Sequence, residues 1–383
     1  LVVDGFCFKN GDAENAHAVS FRTNDRTQAR HCRLTNTAFL DFNPPSHDSS
    51  SYWVSLYDIS NRVDHCLFRG KNDGSPTLTV WVEDGPNDHR IDHNQFITRP
   101  PLGRNGGETI RVGDSKHSMQ SSRTVVEFNY FEDCSGESEI ISNKSCDNLY
   151  RQNAFVECRG ALVLRHGNRC RVEGNWFLGH DRDGTGGVRI IGDDHVVVNN
   201  YFDSLAGTDF VSALPLVDGI PHSALNEYFQ VKRAVVAFNI FVNCRQTVTF
   251  GAGVGRRNRS QPPEDCLFAH NIIVSAHAPL IRVEDEPVRV RWIGNLYHGA
   301  ALGLPPTPGL VEADPQLEQG PDGIWRPSPS SPARTISETG STDPRLKTLF
   351  EPGRFPGAAG FADPAGTRLD RPTRDNTGPG WTF

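Results

Sequence analysis

No apolar run in the 383-residue chain approaches the roughly 18 residues that a membrane-spanning helix needs, and no stretch reads as a signal peptide. The expectation is a soluble protein with no membrane partner. Basic charge is also in short supply: 39 Lys and Arg against 46 Asp and Glu give a net charge of -7. That excludes a general nucleic-acid binder, because phosphate binding needs a basic surface. A polyanionic ligand would need a local basic cleft or a bound cation. Helical periodicity is nearly absent, so ankyrin and other helical repeats are excluded, and the Leu signature of leucine-rich repeats is missing. There is no initiator Met; the chain opens at LVVDGFCF, already strand-like, and an N-terminal piece is expected to be missing.

What the sequence does have is repetition. HNQF at His93, FNYF at Phe128, QNAF at Gln152, GNWF at Gly174, NNYF at Asn199, FNIF at Phe238, HNII at His270 and GNLY at Gly294 share an Asn followed two places later by an aromatic or apolar residue. The Asn positions, 94, 129, 153, 175, 200, 239, 271 and 295, lie 22 to 39 residues apart, which is a solenoid period. Short β-branched and aromatic runs such as TIR at Thr109, EII at Glu139, LVL at Leu162 and VRI at Val188 give each repeat a second strand. The reading is an all-β, right-handed parallel β-helix whose Asn side chains stack at one turn.

Cysteine is present in an odd number, nine, but at fixed coil positions: Cys32, Cys170 and Cys266 precede the Asn slot by five residues, and Cys134, Cys158 and Cys244 follow the aromatic slot by three. That register predicts free core thiols rather than disulfides. His65 and His93 recur in the same manner and are read as ladder residues, not metal ligands. More than half of the 26 prolines fall after position 304. The β-helix is therefore assigned to 1–304, and 305–383 to terminal coils and a Pro/Gly-rich wrap that covers the open end of the solenoid.

The stretch SGESEIISNKS, from Ser135, raises a charge problem. On an extended strand Glu137 and Glu139 would share a face and repel, so either one is pushed toward protonation or something positive lies between them. Stacking NGGETIRVG, SGESEIISNKS, ALVLRHG and GGVRIIG in successive coils about 4.8 Å apart crowds Arg111, Glu137, Glu139, Lys144, Arg165, His166 and Arg189 on one face. An exposed acidic turn and a self-satisfying ion-pair ladder are the plainer readings. Elimination from a uronic acid polymer suits the cluster better. Glu137, Glu139 and the Asn105 amide supply oxygen ligands of the kind Ca²⁺ favours, which would offset charge on the substrate carboxylate. Lys144, its pKa expected to be lowered by positive neighbours, would be the base, and Arg165 would stabilise or protonate the leaving oxygen. A β-helix glycoside hydrolase with Glu137 and Glu139 as its carboxylate pair and a non-catalytic glycan-binding solenoid are the alternatives.

The motifs NGGETIRVG, ESEIISNKS, LVLRHG and GTGGVRIIG together resemble polysaccharide lyase family six, the β-helix family of alginate lyases and chondroitinase B. The likeness runs from FKNG at Phe8 to FGAG at Phe250. It implies Ca²⁺ on Asn105, Glu137 and Glu139, Lys144 as base, Arg165 as acid, and His166 and Arg189 holding the sugar chain. GTGGVRIIGDDHVVVNNYF is closer to the alginate branch, so the expected partner is alginate, with an enzyme acting on dermatan or chondroitin sulfate as the alternative. A secreted or periplasmic bacterial monomer is expected. The missing first coil and the lack of a large second domain depart from some members and leave exo against endo action open. Tyr228 and Lys232, in NEYFQVKRAVVAFN, also look family-like, without an assigned role.

Overall fold

The computed structural model describes residues 1–24, 27–83, 85–334, 343–347, 349 and 370–381. Successive coils each add one strand to three stacked parallel sheets, so the chain forms the expected parallel β-helix. Among the described residues sheet 1 has 11 strands, from Val2–Asp4 to Arg291–Ile293, and sheet 2 has 12, from Cys7–Lys9 to Leu310–Glu312. Sheet 3 has 10, from His17–Ser20 to Ile281–Val283. Among the described residues no helix is long and apolar enough to cross a membrane.

The repeated Asn lies just past the corner between sheets 1 and 2. The residue before it turns that corner in the left-handed region, with φ 56° at His93, 54° at Phe128 and 58° at Asn199. Such a conformation costs a non-glycine residue about 1 kcal/mol, and the Asn side chains offset it. Asn94 Nδ2 donates to Asn129 Oδ1 at 2.9 Å, Asn129 to Asn153 at 3.0 Å, and the pattern repeats down to Asn295. Two places past the Asn, or past Thr37 and Cys66 that stand in its slot, Phe39, Phe68, Phe96, Phe131, Phe155, Phe177, Phe202 and Phe241 fill the interior as a ladder of rings 4.5–5.2 Å apart. Because each amide serves its neighbours on both sides, Asn175→Ala takes the acceptor from the Asn153 backbone N–H and from one hydrogen of its side-chain amide. At roughly 1 kcal/mol per orphaned group it should destabilise the protein by about 2–3 kcal/mol. Thermal unfolding checks this; an unchanged midpoint means that the ladder adds no stability.

The cysteines are all unpaired, and apart from Cys7 and Cys32 they are buried. His65 and His93 stack on each other with centroids 5.0 Å apart and turn Nδ1 to Asp64 and Asp92, as ladder residues do.

The wrap expected of residues 305–383 is described only in part. Leu302, Leu304 and Leu310 do pack at the last coil. The chain then turns back: Leu317, Ile324, Trp325 and Ala333 lie along the outer face of sheet 2, over Trp176, Tyr201, Ile240 and Ile272. Residues 370–381 lie further back still, with Trp381 against Leu40, Leu67 and Ile97 and Gln95 Nε2 donating to the Thr377 carbonyl at 2.7 Å. The physical reason is the outer face of sheet 2, whose outward positions carry aromatic and aliphatic side chains that need a cover. Residues 350–369, which the expectation also included, lie outside the described residues. The face of sheet 3 carries charge instead.

Candidate active site

Four consecutive strands of sheet 3 build the site: Ile110–Gly113, Glu139–Lys144, Gly160–His166 and Thr185–Ile190. Register places Arg111 beside Ser142, Ser142 beside Val163 and Val163 beside Arg189, one outward column. Between the second and third strands the register shifts at Asn143/Lys144, so that Lys144 pairs with His166 and Arg165 is the extra residue. Such a bulge re-aims side chains. Here it brings Lys144, Arg165 and His166 to one end of the face.

Glu137 is not on the strand with Glu139, as the alternation argument assumed; it lies in the bend before it. Only glycine fits at Gly136 in that bend, because a Cβ there would come within 2.2 Å of the Gly107 carbonyl oxygen. The two glutamates are neighbours nonetheless, and a third carboxylate joins them. Glu108, buried in front of the Ile110 strand, sits 3.5 Å from Lys144 Nζ. Burial, and then the charges of Glu108 and Glu139, push the Glu137 carboxyl up to about 9. This is the outcome that repulsion between unrelieved carboxylates demands.

Glu139 is the pivot of the basic groups. Its Oε2 accepts from Ser142 Oγ at 2.5 Å, and its Oε1 stands 3.8 Å from Arg165 Nε and 3.7 Å from Arg189 Nη1. The Arg165 guanidinium is held on its other side by a long loop. Nη1 donates to the Glu227 carbonyl at 2.8 Å, Nη2 to that of Asn226 at 3.3 Å, and the group stacks 4.1 Å from the centre of the Tyr228 ring. Arg259 also lies over that ring, 3.9 Å from its centre. His166 is buried behind Arg165. Since a guanidinium only donates, His166 Nδ1 accepts from Arg165 at 3.3 Å, which leaves Nε2–H for Ser115 Oγ at 3.1 Å. Burial, followed by the charges of Arg165 and Lys144, drives its pKa down to about 3, so the ring is neutral.

Arg189 is buried, donates Nε to the Phe210 carbonyl at 2.6 Å and leaves Nη2 without a partner. Arg111 lies 4.9 Å over Trp81. Asn105 is exposed in the loop before the first strand and lines, with Glu137, Arg104 and Arg159, a groove of about 480 Å³. The structure thus brings Glu137, Glu139, Lys144, Arg165, His166 and Arg189 together, with Asn105 across the groove wall and Arg111 one coil away. Lys232 stands apart, 3.4 Å from Glu264 in an outer row of ion pairs.

Sequence reading missed Glu108, although NGGETIRVG contains it, because it precedes the strand whose alternation was being read. It also missed Phe210 and Arg259, which no periodicity ties to the face. Among the described residues no group of three or more His, Cys, Asp or Glu side chains is set to hold a metal as it stands. The donor chemistry nevertheless fits a hard cation: all donors are oxygens, and Glu108 Oε2 and Glu137 Oε1 are buried without a hydrogen-bond partner.

Known proteins share the fold. The PL6 family alginate lyase AlyGC matches with a TM-score of 0.87 and 34% identity over 100% of this chain and 49% of its own, so the chain spans about half that protein's length. A mannuronic acid specific polysaccharide family 6 lyase from human gut microbiota matches with a TM-score of 0.70 and 32% identity over 78% of this chain and 70% of its own. Pedsa3628 from Pseudopedobacter saltans, at 22% identity and a TM-score of 0.71, shares the fold. No curated protein matches the chain. The family model described as chondroitinase B covers residues 1–319, and on that match the chain belongs to polysaccharide lyase family six, the family of chondroitinase B.

Proposed function

We propose that the protein is an alginate lyase, cleaving the 1,4-glycosidic bonds of a uronic acid polysaccharide by β-elimination to leave unsaturated oligosaccharides. The observation that carries this reading is the register shift that sets Lys144 and Arg165 on adjacent strands beside a wall of carboxylates in a family six fold. Lys144, once its amine is free of Glu108, takes the proton from the carbon alpha to the uronate carboxylate. The electron pair left behind forms the double bond as the bond to the glycosidic oxygen breaks, and that oxygen takes up a proton. Arg165, aimed by the Asn226 and Glu227 carbonyls and by neutral His166, stabilises the oxygen and donates to it directly or through a water. Arg189 and Arg111 hold the anionic sugar chain, and His166 borders it. Glu137, Glu139 and Asn105, joined by Glu108, would hold Ca²⁺. That ion would supply positive charge to the substrate carboxylate as proton abstraction makes it more anionic.

Alginate is favoured over dermatan sulfate because the solved relatives at 34% and 32% identity are described as an alginate lyase and a mannuronic acid specific lyase. A polymer of this size is met outside the cytoplasm, and we place the protein in a secreted or periplasmic location as a monomer. The deciding experiment incubates it with mannuronate blocks, guluronate blocks and dermatan sulfate and follows the ultraviolet absorbance of an unsaturated uronate end. Cleavage without that absorbance identifies a hydrolase, and no cleavage identifies a binding solenoid.

Arg165→Lys tests the acid. A point ammonium cannot bond both loop carbonyls and stack on Tyr228 at once, so turnover should fall by about 10²-fold or more. Near-native turnover in steady-state assays reduces Arg165 to a structural role.

A further inference from the structure

Beneath the carboxylate wall lies a guanidinium that the proposed chemistry does not use. Arg99 ends the sheet 2 strand Gln95–Arg99 and is 3% exposed. All its nitrogens donate inward: Nε to the Gly107 carbonyl at 2.7 Å, Nη1 to Thr77 Oγ1 at 3.0 Å, and Nη2 to the carbonyls of Asp73 at 3.2 Å and Ser75 at 2.8 Å. Gly107 immediately precedes Glu108, and Gly136, which immediately precedes Glu137, is packed on the same group. A Cβ on Gly136 would lie 2.5 Å from Arg99 Nε. The Arg99 backbone holds the second turn too, its carbonyl accepting from Ser135 N–H at 2.7 Å. One buried side chain therefore sets the separation of the two turns that carry Glu108 and Glu137.

We propose that Arg99 is a positioning residue that holds Glu108 and Glu137 at the spacing at which the carboxylate wall takes up a divalent cation. The inference rests on the reading of that wall as a cation site. Two effects of Arg99 oppose each other there. Its charge repels an incoming cation, so a purely electrostatic role predicts tighter binding when it is removed. Its hydrogen bonds pre-organise the ligands, and a positioning role predicts weaker binding. Losing such a supporting contact typically weakens metal affinity roughly 10- to 100-fold.

Calorimetric Ca²⁺ titration of chelator-stripped protein separates these, with thermal unfolding in chelator recorded for each variant. Arg99→Met should weaken Ca²⁺ binding roughly 10- to 100-fold, and Arg99→Lys, which keeps a charge and one donor site, should recover part of the loss. Thr77→Val removes a single acceptor in an isosteric side chain; it should weaken binding severalfold while lowering the unfolding midpoint in chelator only slightly, by the loss of one hydrogen bond, and it decides the matter if Arg99→Met does not fold. Ca²⁺ affinity equal to or tighter than wild type in the folded variants overturns the proposal. So does weakening that follows a matching loss of midpoint, which marks Arg99 as a general structural residue. Wild-type protein that takes up no Ca²⁺ overturns the cation reading itself, a result distinct from either.

Discussion

Lys144→Ala should lower turnover by about 10²- to 10⁴-fold, the range a positioned general base supplies, while oligosaccharide binding changes little. The side chain is one of several positive groups on the face. Arg111, Arg165 and Arg189 remain to hold the anionic chain in its absence. What the alanine removes acts chiefly in the transition state, so the loss should appear in kcat and kcat/KM together, with KM nearly constant. It also leaves Glu108 without its partner at 3.5 Å, a local cost far from the coil-stacking core. Binding of an oligosaccharide by calorimetry, alongside absorbance-based turnover, checks both halves. Lost binding with preserved residual turnover would remove Lys144 from the chemistry and return the site to the hydrolase alternative, with Glu137 and Glu139 as its pair.

Thorough chelation should have an effect of similar size and of a different kind. Three carboxylates share the wall, two of them with buried oxygens that no hydrogen bond satisfies, and one with its pKa pushed up to about 9. Stripping Ca²⁺ should abolish turnover and adding it back should restore it. The fold should survive, because the Asn and Phe ladders that hold the coils lie at the corner between sheets 1 and 2 and in the interior, away from this site. Circular dichroism and elemental analysis on the same samples separate loss of the ion from loss of structure. Glu139→Gln should raise the Ca²⁺ needed for half activity without changing the product, since one ligand charge is lost while the amide oxygen remains. Fully active protein with no metal by elemental analysis would make the glutamates substrate-orienting groups or a hydrolase dyad.

Much of the architecture was legible because a β-helix repeats its solutions. An Asn whose amide serves the coils above and below must recur at every turn, and so must the Phe two places later; both ladders stand in the sequence as NxF-like slots. The four motifs that stack into the site were legible for the same reason, since neighbouring coils bring equivalent positions about 4.8 Å apart. Expectation and structure parted where the period breaks. Glu137 was read as a strand residue, but the strand starts at Glu139, and Glu137 lies in the bend where Gly136 packs against Gly107 and Arg99. Glu108 was not read at all, and it is a carboxylate 3.5 Å from Lys144, while Arg165 and Arg189 gather on Glu139.

By itself the sequence determined the repeat, the ladders, the free core thiols and which residues of successive coils face the same way, because each of these follows from periodic local pattern. Only the tertiary structure decided the bulge that pairs Lys144 with His166, the loop whose Asn226 and Glu227 carbonyls aim Arg165, the third carboxylate at Glu108 and the return of the C-terminal segment over sheet 2. Each of these is a contact between stretches that no common period relates. Such contacts are chosen by the unsatisfied donors, charges and apolar surface that remain once the coils have stacked.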